Sequence, residues 1–488
     1  MVKGLREVDR FRRFAQVLKY AIVAAAPYIA FFTLIMVITL PQGLDSLVTK
    51  SQVGLFTWST DAATAFGKSD SGSLLRTAIS IRDSGMLTLD IFWVFSYWPP
   101  GMIVVDIVLL WLESIFLVPI TVLMVILNSL LWAVFLGVAF NVIRKRFGML
   151  PAVIVTSGML LSSAVSSWGT GPGLFYADSF GAVAYCFSIL FLILIPSVAG
   201  RWRKVRYASY AGVALATASY FRASYELIAT ASVVCGAVLV LALLIFKWRR
   251  GNSRFVLVAL PTVLAIGLTG LVTHVLLAPW RLIAGLKIHP GDFRWSSVSD
   301  LASSARWIPD RILEAMPDAG FAKAGHSNWA CLNDPVQCDR IFALEGSGDL
   351  SYTGAGHFSA AQFDQMTLDS FFTHPWAYVT ERIDAILFGF LSNTGGSVRE
   401  YAIPESILLI AVLIAAIAAI VSSRELLNPG YLFFLSATVL QLATLSLLHM
   451  EPRYFLGLEL STMLVGGYVL AEYFRSSASR HRQREDST

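Results

Sequence analysis

The residues of this chain best suited to chemistry stand where its apolar runs end. Asp70, Asp178, Arg222, Glu226, His449, Glu451 and Arg453 all occupy ends of hydrophobic segments or the loops between them. A carboxylate in such a place can take the proton from a hydroxyl nucleophile. A guanidinium can hold a phosphate while negative charge builds on it. An ionisable group kept at a membrane boundary is a functional candidate by default. The combination suits proton transfer and anion binding at a membrane surface, provided the chain lies in a bilayer.

Composition says that it does. Hydrophobic residues make up 56% of the 488 and charged residues only 14%, and the mean hydropathy of +0.66 lies outside the soluble range. Apolar runs of about 20 residues recur, long enough to cross the hydrocarbon layer as helices. Alternating strands of the barrel type are absent, so the expected class is an all-α polytopic membrane protein. A net charge of +5 is compatible with nucleic-acid binding. The Lys and Arg residues, however, cluster in short loops between spans, which is the positive-inside pattern. Nucleic acid is therefore not an expected partner.

Parity along the chain builds the topology. Met1–Lys19 is basic and precedes the apolar stretch Tyr20–Leu40, which reads as an uncleaved signal anchor with a cytoplasmic N-terminus. Residues 41–100 are then outside, and Gly101–Glu113 reads as an interfacial or re-entrant helix. Later spans return basic clusters to one side, at Arg144-Lys145-Arg146, Arg201–Arg206, Lys247–Arg250, Arg424 and Arg475–Arg484. The expected count is about ten crossings with both termini cytoplasmic. The expected division is 1–278 as an N-terminal membrane module with first outer loop 41–100 and 279–402 as a long outer loop with juxtamembrane helices. Residues 403–474 are C-terminal spans, and 475–488 form a basic cytoplasmic tail.

Of the four cysteines, Cys186 and Cys235 fall in apolar spans and read as fillers. Cys331 and Cys338 lie in the polar section. A disulfide closing that loop would contribute about 2–3 kcal/mol and would need an oxidising compartment. A metal site there is less favoured, because no second Cys or His pair stands beside Cys331 and Cys338.

Several segments carry a family resemblance. Ser69-Asp70-Ser71-Gly72, then Gly85, then Tyr97-Trp98-Pro99-Pro100-Gly101 looks like the first outer loop of the GT-C superfamily of membrane glycosyltransferases. It is closest to the dolichyl-phosphate-mannose mannosyltransferase-like and aminoarabinose-transferase-like branch. Ala278-Pro279-Trp280-Arg281 resembles the Pro-Trp stretch opening the family's large outer loop, without its later arginine. His374-Pro375-Trp376-Ala377-Tyr378 resembles a family juxtamembrane helix, and Glu451-Pro452-Arg453-Tyr454-Phe455 resembles an element at the start of a late span.

The resemblance implies an inverting transfer of a sugar from a polyprenyl-phosphate carrier to a glycolipid, polysaccharide or protein of the cell envelope, on the outer face of a plasma (inner) membrane. Asp70 would be the base and Asp178 a second catalytic carboxylate. Arg222, Arg281, His449, Glu451, Arg453 and Tyr454 would bind the donor and its phosphate. Phosphate is a good leaving group, so a single base suffices. No cofactor is expected. A divalent metal is not favoured, because Asp70 lacks the adjacent acid that metal-using members carry, although Asp70 and Asp178 could share one. Each residue also has a plainer reading. Asp70 and Asp178 would serve as helix N-caps, and Arg222 and Arg453 would snorkel to the interface. Glu459, inside the last span, has no role in this scheme. Two other functions stay open: an oligosaccharide ligase or polymerase with a diphosphate-linked donor, and a non-catalytic lipid or solute transporter. The transporter is disfavoured because no internal repeat is visible.

Overall fold

A computed structural model describes residues 44–46, 49–53, 56–66, 70–84, 99–162, 177–222, 253–285, 399–422, 428–447 and 455–485, with short helical stretches between 224 and 245. The first span, Trp98, Cys235, the Cys331–Cys338 loop, His374–Tyr378 and His449–Tyr454 lie outside the described residues. The chain divides into two compact units. One comprises Met1–Leu286, Thr394–Ala437 and Leu456–Thr488, the other Lys287–Asn393 and Thr438–Phe455. The architecture below is that of the first, except that the later half of the helix Pro429–Leu447 belongs to the second.

Its described residues are helical apart from one small antiparallel hairpin, β1 (Leu44–Ser46) with β2 (Thr49–Val53), a feature the apolar pattern did not signal. The helices α1 (Ser59–Ala65), α2 (Asp70–Ser84) and α3 (Gly101–Phe116) follow, then α4 (Ile120–Phe147), α5 (Met149–Leu161), α6 (Ala177–Leu194) and α7 (Arg201–Phe221). The last four are α8 (Ser253–Gly285), α9 (Arg399–Ser422), α10 (Pro429–Leu447) and α11 (Leu456–Glu485). Among the described residues, three segments are long and apolar enough to cross a membrane: Ile120–Phe147, Ala177–Ser197 and Pro261–Leu282.

The weakest expected span, Tyr207–Tyr220, is part of the 21-residue helix α7, whose first turns contain the basic run. At 1.5 Å per residue it is roughly 30 Å long. Helix α8 continues through Pro279-Trp280-Arg281 to Gly285. The expected boundary at residue 278 therefore falls inside a helix, and the first compact unit extends to Leu286. The basic tail likewise prolongs α11 as far as Glu485.

Small residues and hydroxyls bring the helices close, as expected where lipid tails offer no hydrophobic contrast. Thr269 and Thr273 of α8 donate to the carbonyls of Ala208 and Gly212 of α7, each at 3.1 Å. Both registers advance by four, so the two helices run parallel. A Cβ at Gly212 would lie 2.7 Å from the Thr269 carbonyl oxygen. Similarly, a Cβ at Gly466 would meet Val412 of α9, and one at Gly467 would meet Val155 of α5.

The ends of the bundle differ. At one end, Arg146 pairs with Glu472 at 3.2 Å, Arg475 donates to the Arg146 carbonyl at 2.6 Å, and the Tyr431 hydroxyl donates to Glu472 at 2.9 Å. Asn428 donates to the Ile193 carbonyl there, and Gly430 lies so close to the Ile193 backbone that no side chain fits. The basic clusters that close α4 and open α7 share this end with the C-terminal part of α11.

Candidate functional site

The opposite end is assembled from the starts of α3, α6 and α11 and the finish of α7. Asp178 sits in the first turn of α6, 4% exposed, and Arg222 caps α7 in extended backbone. The Arg222 Nε donates to Asp178 Oδ1 at 2.6 Å, with both side chains largely buried. A charge-assisted hydrogen bond with this geometry is at the strong end of its class. Asp178 lies at a helix N-terminus, where negative charge is favoured. Arg222 is held by a carboxylate rather than reaching alone for the interface.

Tyr225, which the sequence reading passed over, locks this corner. Its backbone N–H donates to the Arg222 carbonyl at 3.0 Å, and its ring stacks on Tyr185 at 5.2 Å. A Cβ at Gly181 would stand 2.9 Å from the Tyr225 ring, and one at Gly457 only 2.4 Å from its hydroxyl. The tyrosine is therefore wedged between two helices that come near only because glycine stands at both positions. The available signal was the spacing of Gly181 three residues after Asp178, and of Tyr225 three after Arg222.

The double-proline element arrives at the same place. A Cβ at Gly101 would fall 2.6 Å from the Tyr220 carbonyl oxygen and 3.1 Å from the Phe221 ring. The start of α3 is thus docked two residues before Arg222. Pro99 is buried, and Pro100 caps α3. Phe180 stacks on Phe221 with centroids 5.0 Å apart. Phe180 also belongs to an apolar cluster with Leu74, Leu75 and Ala78 of α2, Ala62 and Ala63 of α1, and Met102 and Ile103 of α3. Asp70 is the first residue of α2. The helix that Asp70 opens and the Asp178–Arg222 pair are therefore built around one hydrophobic cluster.

A buried carboxylate secures this arrangement. Glu113, 5% exposed in α3, accepts through one oxygen from the backbone N–H of Ser59 and of Ile120, each at 3.0 Å. These N–H groups open α1 and α4, so one negative charge answers two helix N-termini. Thr121 adds a reciprocal pair, accepting from the Thr57 N–H at 3.0 Å and donating to its carbonyl at 3.1 Å. Arg76 of α2 donates to the Ala63 carbonyl at 3.1 Å, tying α2 to α1. At the far end of α2, Arg82 lies 2.7 Å from Asp83, and this hydrogen bond holds the Asp83 carboxyl below the usual range.

Arg281 is not brought to Asp178. It lies in the last turns of α8, where its Nε donates to Glu226 at 2.6 Å and its Nη2 lies 2.7 Å from His274 Nδ1. Trp280 beside it is buried against Tyr220, whose hydroxyl donates to the Leu276 carbonyl at 2.7 Å. Arg222 and Glu226 thus bracket one short stretch, the first paired with α6 and the second with α8. Glu459 is 1% exposed in the first turn of α11. His449, Glu451, Arg453 and Tyr454 fall outside the described residues. Among the described residues, no three His, Cys, Asp or Glu side chains gather as a metal site would require. No protein-family model matches the chain, and no curated protein matches it in sequence.

Proposed function

We propose that this chain is a GT-C-like membrane glycosyltransferase that moves a sugar from a polyprenyl-phosphate carrier to a cell-envelope acceptor. The reaction would occur at the end of the bundle away from the basic clusters, on the outer face of a plasma membrane crossed about ten times. The observation that carries the reading is the buried Asp178–Arg222 pair, beside which the Gly101 backbone docks. The helix opened by Asp70 is built on the same apolar cluster.

In this mechanism Asp70 takes the proton of the acceptor hydroxyl as its oxygen attacks the anomeric carbon. The bond from that carbon to the phosphate oxygen breaks, and the phosphate leaves with the electron pair. Inversion follows from attack on the face opposite the leaving group. Arg222 meets the charge that develops on the phosphate, and Asp178 holds the guanidinium in place before the donor arrives. Such preorganisation spares the reorganisation that water would need. Asp178 is then a positioning residue rather than a second base. By the family resemblance, Arg281, His449, Glu451, Arg453 and Tyr454 remain further candidates for binding the donor.

The test uses full-length protein in liposomes with a labelled polyprenyl-phosphate sugar and an envelope-lipid acceptor fraction. Asp70→Asn should abolish transfer while leaving donor binding intact. Turnover by that variant at the wild-type rate would remove Asp70 as base. Movement of unaltered label between compartments would instead establish a transporter.

A further inference from the structure

The basic end of the bundle holds two kinds of cation. Arg146 and Arg475 are engaged inside the protein, with Glu472 and with the Arg146 carbonyl, and Arg144 donates to Asn141 at 3.2 Å. The first turns of α7 are different. Arg201, Arg203 and Arg206 are exposed and Lys204 is half-buried. Among the described residues, no carboxylate pairs with any of the four. They stand at a helix N-terminus, where the backbone dipole is itself positive, so their repulsion is deepened rather than offset. Among the described residues, the protein supplies no compensating anion for this turn.

The neighbouring side chains indicate its source. Trp202 is 76% exposed in the midst of the cations, and Tyr210, two turns on, is 50% exposed. Tyr207 and Tyr210 both lean on Phe191, with centroids 6.1 and 5.7 Å away. Amphipathic aromatic rings beside cations at the end of a membrane-length helix is the composition of the headgroup layer. Gly200, at φ +94°, makes the reversal that sets this face at the end of the bundle.

We propose that the turn Arg201–Tyr210 is a docking surface for the headgroups of anionic phospholipids, whose phosphates neutralise Arg201, Arg203, Lys204 and Arg206. This inference needs only that the chain is membrane-embedded and does not rest on the transfer reaction.

Native mass spectrometry of the purified full chain tests it, titrating phosphatidylglycerol against phosphatidylcholine of the same acyl length, with inorganic phosphate in a third arm. Wild type should prefer phosphatidylglycerol by about tenfold or more, since clustered cations at a membrane surface attract net-negative headgroups. Raised salt should erase the preference. R201Q/R203Q/R206Q should lose it, whereas R201K/R203K/R206K and Lys145→Gln should keep it. Where the triple Gln variant does not fold, R201Q and R206Q singly should each weaken it. Equal binding of the two lipids, full retention in the Gln variants, an equal loss in Lys145→Gln, or saturation by inorganic phosphate alone would each overturn the proposal.

Discussion

Replacing Arg222 by Gln leaves the Asp178 carboxylate, with 6% of its side chain exposed, facing an uncharged neighbour. Removing one partner of a fully buried ion pair costs about 3–5 kcal/mol. The Arg222 side chain keeps 16% of its exposure, and the contact is a single Nε–H bond of 2.6 Å. The expected loss is therefore nearer the value for a hydrogen bond to a charged group, about 2–3 kcal/mol. Asp178→Asn alone should also lose stability, because it takes the charge off the acceptor of that hydrogen bond. The double variant should recover part of this, giving a coupling of about 1–2 kcal/mol in a double-mutant cycle. The four proteins can be compared by reversible SDS titration in mixed micelles, read by tryptophan fluorescence. Should R222Q stay within about 0.5 kcal/mol of wild type, or the two single losses simply add, the pair does not hold this corner together. Activity then separates structure from chemistry. If Arg222 meets the phosphate, R222Q stays inactive in the Asp178→Asn background even where stability recovers.

Glu113→Ala removes the acceptor for two N–H groups and should lose about 3 kcal/mol, with faster amide exchange at Ser59 and Ile120; Glu113→Gln, which keeps an acceptor oxygen, should lose less. Leu117 ends α3 at φ 52°, the one non-glycine residue with positive φ among those described. Leu117→Gly should therefore raise the unfolding midpoint, by a gain of up to about 1 kcal/mol, since the exposed side chain has little packing to lose. Gly457→Ala drives a methyl against the Tyr225 hydroxyl and should lose about 1–3 kcal/mol, with Tyr225→Phe restoring part of it in the double variant; full wild-type stability of Gly457→Ala would show that the wedge is slack.

The apolar runs and the loop cations were readable without coordinates. Hydropathy depends only on composition within a window, and the positive-inside pattern depends only on which loops hold Lys and Arg. Helix starts were also legible where local chemistry announces them, as at Asp70, Gly101 after Pro99-Pro100, and Ala177-Asp178. Helix ends were not. Pro279-Trp280-Arg281 reads as the start of a loop because proline breaks helices, yet α8 carries it while Trp280 packs against Tyr220. The basic turn of α7 falls outside a hydropathy window for the same kind of reason: charge hides helical backbone.

The site divides along that line. The sequence marked Asp70, Asp178 and Arg222 as polar groups at outer helix ends or loops, and Arg281 through the family resemblance. Which of them meet is decided by contacts between segments far apart in the chain, and no local pattern encodes such distances. Asp178 reaches Arg222 across 44 residues, while Arg281 turns to Glu226 across 55. Glu113 looked like the polar end of an interfacial helix, and only the fold makes it the shared acceptor for two helix N-termini. Tyr225 carried no mark beyond its spacing of three residues after Arg222. Its importance comes from Gly181 and Gly457, whose missing side chains leave the space it fills, and a space between helices exists only once they have packed.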